Sequence, residues 1–216
     1  MRGVTRFFGV VAAALAVSCS VGDGAGEVRG RLMVQACALD EPDYSMQPDF
    51  FGGDWHQGSY TIQISRGGDT GEYADALVIL VDDTSYVAQH LNERIAVGPT
   101  GVTPVHAVLR LTKRCGRREI VQSTPDAALM AWRGYVVFEA IYRGDPGADA
   151  AARRTAVTSF SFDMADPRAV RDYTQTARER AVGEGREPAA LTQSRAELEG
   201  AFEFYFVRGR PAQRFQ

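Results

Sequence analysis

The sequence predicts a mainly β, single-domain protein: an antiparallel β-sandwich with one or two short helices, with a closed β-barrel as the alternative. Three observations carry this. Apolar and polar residues alternate with period two at residues 59–65, 105–112 and 199–207, the last setting Phe202, Phe204 and Phe206 on one face. Residues 133–142 collect Tyr135, Val136, Val137, Phe138, Ile141 and Tyr142, the residue types that fit a pleated surface best. No strand–helix–strand alternation runs through the chain, which argues against a parallel α/β sheet. At 216 residues, 45% hydrophobic and 24% charged, the chain suits one ordinary core.

The chain begins with Arg2 and Arg6, followed by an apolar run over residues 7–17 broken only by Gly9. The run is too short to span a bilayer, which takes about 20 residues, and matches the basic and apolar regions of an export signal. Ala14-Leu15-Ala16 suits an ordinary signal peptidase. The overlapping stretch Leu15-Ala16-Val17-Ser18-Cys19 resembles the lipobox of bacterial lipoproteins, with Ala16 where that family usually carries Leu. The resemblance implies a signal peptide over residues 1–18, a diacylglyceryl and palmitate-bearing anchor on Cys19, and attachment to a membrane. Ser20, rather than Asp, follows the cysteine, which implies an outer-membrane lipoprotein facing the periplasm or the surface. A secreted protein is the alternative.

With Cys19 carrying the lipid, Cys37 and Cys115 are left as one candidate disulfide, which suits an oxidising compartment. Residues 20–27 carry three glycines in alternation and read as a flexible tether with a reach of about 25 Å. The β-sandwich domain is then residues 28–216.

Within it, residues 28–37 read as a strand ending at Cys37, and 40–58 as an aromatic, acidic, Gly/Pro-rich loop. Strand 59–65 leads through turn residues 66–71 to the apolar run 76–81, a strand buried on both faces. Asp83 or Thr84 starts a short helix to about residue 92, and 94–97 is a short strand. After strand 105–112, Cys115-Gly116 opens a turn and 119–123 reads as its hairpin partner. Strand 133–142 ends at the turn 144–147, and a small-residue loop at 148–154 leads to strand 155–163. Asp166-Pro167 is a helix-start signal, with Val170, Tyr173, Ala177 and Ala181 on one face. Residues 183–193 read as a loop before the last strand at 199–207, and 208–211 as an extended tail.

Loss of Arg2 and Arg6 leaves 22 basic against 27 acidic residues, a net charge of −5 in place of −3. That balance argues against a nucleic-acid partner. Neither Gly-x-Ser-x-Gly nor Ser-x-x-Lys is present, and His56, His90 and His106 do not fall in a zinc-protease spacing. Asp40, Glu41, Asp43, Asp49 and Asp54 offer oxygen ligands from one segment, but their spacing fits no EF-hand, so no metal and no cofactor are assigned. Tyr44, Phe50, Phe51 and Trp55 share that segment. Exposed together, they would form a glycan- or peptide-binding surface; buried, they would plug the end of the sandwich. The sequence therefore points to a non-enzymatic, lipid-anchored cell-envelope protein with a binding or structural role. The alternative is a glycan- or peptide-binding module using 40–58, and, further off, an envelope hydrolase. The expected partners are the membrane and an envelope protein or glycan.

Overall fold

The computed structural model describes residues 19–66, 74–115, 128–145, 149, 151–180 and 194–206. The export signal, the turn after residue 66, the hairpin partner at 119–123, the loop at 183–193 and the tail lie outside these residues. Ten strands run in the order β1 (Cys19–Val34), β2 (Leu39–Met46), β3 (Phe50–His56), β4 (Ser59–Arg66), β5 (Asp75–Val81), β6 (Arg94–Ala96), β7 (Val105–Leu111), β8 (Ala128–Ala140), β9 (Arg154–Ala165) and β10 (Ser194–Phe206). Three helices interrupt them: α1 (Thr84–Gln89), α2 (Thr112–Cys115) and α3 (Pro167–Arg180).

The expected β-sandwich is overturned. Eight strands, β1-β3-β4-β5-β7-β8-β9-β10, form an antiparallel ring, and β10 pairs back onto β1 from Gly22↔Phe206 to Val34↔Ser194. The fold is a closed eight-stranded β-barrel. Two further strands lie outside this ring. β2 continues along β1 where β3 leaves it, and β6 pairs with β8 at Arg94↔Val137. Period-two alternation is the same in a sandwich and a barrel; only the pairing of the first strand with the last distinguishes them.

The closing strand is built from the expected tether. Gly22, Gly24 and Gly26 lie in β1, paired with Phe206, Phe204 and Phe202. Glycine disfavours a strand by propensity, but here it makes room for rings. A Cβ on Gly26 would come 2.5 Å from the Phe202 Cβ, and one on Gly200 would come 2.8 Å from the Phe160 ring. The expected loop at 40–58 is likewise β2 and β3. There Gly53 faces inward, its hydrogen taking the place of a Cβ that would lie 2.6 Å from the Tyr60 hydroxyl.

Inward residues fill the barrel. Phe51, Tyr60, Phe138, Phe160, Phe162, Phe202, Phe204 and Phe206 are all buried, with Ile62, Ile64, Leu77, Ile79 and Leu109 between them. Phe160 stacks on Phe162 at 4.7 Å and Phe51 on Phe204 at 5.7 Å. Eight strands enclose just enough width for side chains to fill. Outside, α3 covers one patch of wall: Val170 is buried with Ala165, and Tyr173 meets Trp132 edge-on at 5.7 Å. Asp166 Oδ1 accepts from the Arg168 amide at 2.8 Å, the cap expected from Asp166-Pro167.

Candidate functional site

The barrel has two ends. One holds the start of β1, the β3–β4 turn, α1 and the start of β7; the other holds the β1–β2 turn and α2. At the first end Tyr60, Tyr142 and Phe206 close the mouth with ring centroids 4.7–6.3 Å apart. Tyr60 Oη and Thr155 Oγ1 lie 3.1 Å apart, and the Tyr142 amide donates to Thr155 Oγ1 at 3.3 Å. Burial pushes the Tyr60 phenol well above its ordinary value.

The aromatic candidates do not form a shared exposed surface. Tyr44 in β2 and Phe50 and Phe51 in β3 are buried, and Trp55 in β3 packs against the core. Adjacent strand residues face opposite ways, which sends Phe50 and Phe51 to different sides. The acidic candidates are likewise spread out. Asp40 pairs in register with Met33 near the second end, while Asp54 pairs with Cys19 at the first. Among the described residues no group of three His, Cys, Asp or Glu could hold a metal ion.

At the second end the structure joins Cys37 to Cys115, with Cα atoms 5.3 Å apart. Next to the bridge, Arg114 reaches Glu41 at 3.1 Å and the buried Asp75 at 3.0 Å, and lies over the Tyr44 ring at 4.8 Å. Burial first, then the charge of Asp75, pushes the Tyr44 phenol up to about 12. This arrangement is a satisfied ion cluster that seals the barrel.

His106 is 4% exposed and held on both ring nitrogens, Nδ1 at 2.9 Å from the Gly98 carbonyl and Nε2 at 2.8 Å from Asp82 Oδ2. Its neighbour Asp83 caps α1, accepting from the Ser85 and Tyr86 amides at 2.8 and 3.2 Å. Both nitrogens are occupied, so His106 ties the 82–104 excursion to β7.

A shallow, open hollow lies on the outer wall, where β1, β10, β9 and β8 run side by side. It has a volume of ≈ 390 Å³, a floor of Ala25, Ala156 and Ala201, and a rim of Glu139, Arg154 and Glu203. Arg154 bridges the two carboxylates, at 2.7 Å from each. Both ion pairs raise its already high basicity. Tyr205, 43% exposed, is in register with Arg154 and two residues from Glu203, which puts all three on one face. A bulge between Gly200 and Phe202 where β10 meets β9, and others where β8 meets β9, curve the wall here. In the sequence Glu203 and Tyr205 alternate with Phe202, Phe204 and Phe206, whereas Arg154 ends the expected loop 148–154 and Glu139 lies within the expected strand 133–142.

The charged outer wall and the aromatic interior invert the pattern of a membrane-spanning barrel, which is apolar outside and polar within. The class defined by fold and wall is thus a closed meander barrel, filled inside, with its accessible chemistry outside. No family model, curated protein or solved structure matches the chain.

Proposed function

We propose that this chain is a lipid-anchored cell-envelope protein, acylated at Cys19, whose barrel binds a glycan in the outer-wall groove. One observation carries the binding reading: a shallow, small-residue floor bordered by an oriented Arg154–Glu139–Glu203 bridge, with the exposed Tyr205 ring beside it. Sugar hydroxyls both donate and accept, so they can bond carboxylate and guanidinium together without breaking the bridge. A tyrosine face supplies the apolar contact for a sugar ring. A peptide adding as a strand needs a free sheet edge, and β1, β10, β9 and β8 are paired to one another along this stretch. Among the described residues, inward side chains fill the interior. We assign no reaction to the groove.

The test is a titration of the purified protein with envelope oligosaccharides, peptidoglycan fragments and lipopolysaccharide core sugars among them. Binding should fall at least tenfold in Arg154→Ala and in Tyr205→Ala. Equal binding by both variants would remove the groove from the account. The anchor is tested separately: labelled palmitate should enter the wild-type protein and be absent from Cys19→Ala, and incorporation that survives the substitution would refute acylation there.

A further inference from the structure

We infer that the barrel stands directly on a phospholipid surface by the end at which β1 begins, with α1 and the 99–103 turn against the headgroups. The inference rests on the acylation at Cys19 proposed above. A tether would have let the barrel hang some 25 Å from its anchor in any orientation. β1 leaves no such slack. Cys19 is already paired with Asp54, and Gly22 is bonded in register to both Phe51 and Phe206. At about 3.3 Å per residue, the closed wall starts within about 10 Å of the acylated residue.

The structures around that end agree with a lipid contact. The Thr84 amide donates to the Gly58 carbonyl at 2.8 Å, fixing α1 to the β3–β4 turn, and the Asp82 amide donates to the Pro104 carbonyl at 3.0 Å. From this platform project Tyr86, 40% exposed, and Val102, 57% exposed. Among the described residues only three large hydrophobic side chains are exposed: these two at the anchor end, and Tyr205 beside the groove. The described residues at the disulfide end include none. A tyrosine on a short helix, here stacked on His90 at 4.2 Å, and an aliphatic residue on a turn are what the headgroup region accepts. The same end also exposes Asp82, Asp83, Glu93, Asp145 and Asp149 against Arg94 and Arg143, an acidic excess, so attraction to anionic lipid does not drive the contact. Salt screens the repulsion between this excess and anionic lipid and should therefore not weaken the contact. Standing this way, the barrel holds its groove facing sideways, about 20 Å along the strand from Cys19 to Ala25, at the height of a glycan carried on the same membrane.

The test is amide hydrogen exchange on the acylated full chain in phosphatidylethanolamine–phosphatidylglycerol vesicles, compared with unacylated Cys19→Ala protein mixed with the same vesicles. Acylated protein should exchange severalfold more slowly at 84–90 and 99–103, at low and high salt alike, with no change at 35–41 and 112–115. Val102→Asp should weaken the protection without altering the thermal midpoint. Protection at the disulfide end, or at neither end, would overturn the orientation while leaving the anchor in place. Intact-mass analysis that finds no lipid on Cys19 would instead refute the anchor, and the orientation with it.

Discussion

Gly24 lies directly across the barrel seam from Phe204, so close that a Cβ on Gly24 would come 2.4 Å from the Phe204 Cβ and 2.3 Å from the Glu203 carbonyl oxygen. The seam closes because one strand is bare where the other is aromatic. Gly24→Ala should therefore destabilise the protein by about 1–3 kcal/mol, the usual cost of overpacking a filled core. Urea denaturation measures it, and an unchanged midpoint would mean that the strands do not pair in this register.

That relationship also explains what was legible in the sequence. β4, β5, β7, β9 and β10 declare themselves by alternation or by continuous apolar runs, and α1 and α3 by Asp83 and Asp166. The first half of β1 does not, because alternating glycines look the same in a tether and in a strand facing rings. Its aromatic partners lie about 180 residues away in the chain, which no local pattern reports. β3 was hidden similarly by Gly52 and Gly53, of which Gly53 makes room for Tyr60 and Phe206. Without the glycine half of β1 the ring stays open, and an open set of alternating strands reads as a sandwich. At the groove, outward-facing Glu203 and Tyr205 were visible. Arg154 joins them only through the register Arg154↔Tyr205, and Glu139 only through the pairing of β8 with β9.

The Cys37–Cys115 bridge links positions 78 residues apart, tying the β1–β2 turn to α2. Restricting a loop of that length in the unfolded chain contributes about 4–5 kcal/mol by chain entropy, an upper figure. The Cys37→Ala/Cys115→Ala double variant should lose a few kcal/mol and unfold at clearly lower denaturant. A loss under about 1 kcal/mol would show that the unfolded chain is already restricted in this region.

Tyr44 gives stability a dependence on alkaline pH. Its phenol is pushed up to about 12 in the folded protein, chiefly by burial, against an unfolded value of 10.0. Between those values the unfolded chain releases a proton that the native state keeps. The contribution is thus fully present below pH 10 and is lost as pH rises through about 12, a fall of about 2–3 kcal/mol. Stability measured across this range should decline less steeply in Tyr44→Phe. Tyr60 and Tyr142, also raised by burial, keep that variant from being flat.

His106 fastens the excursion that carries α1 and β6. His106→Ala leaves the Gly98 carbonyl without its side-chain partner and removes the tie to Asp82. The expected loss is about 1–3 kcal/mol, with faster amide exchange at 97–105. Asp82→Asn should cost less, because the Asp82 side chain is 55% exposed and water can replace it. Equal losses in the two variants would contradict this assignment.

The most direct test of the central claim, a filled barrel that binds glycan on its outer wall, is a map of backbone amide shifts during an oligosaccharide titration. The account predicts shifts clustered at 25–27, 139, 154–158 and 201–205, with the interior and the 40–58 wall unmoved. Shifts centred on 40–58, or spread through the inward residues of β4, β5 and β7, would contradict it.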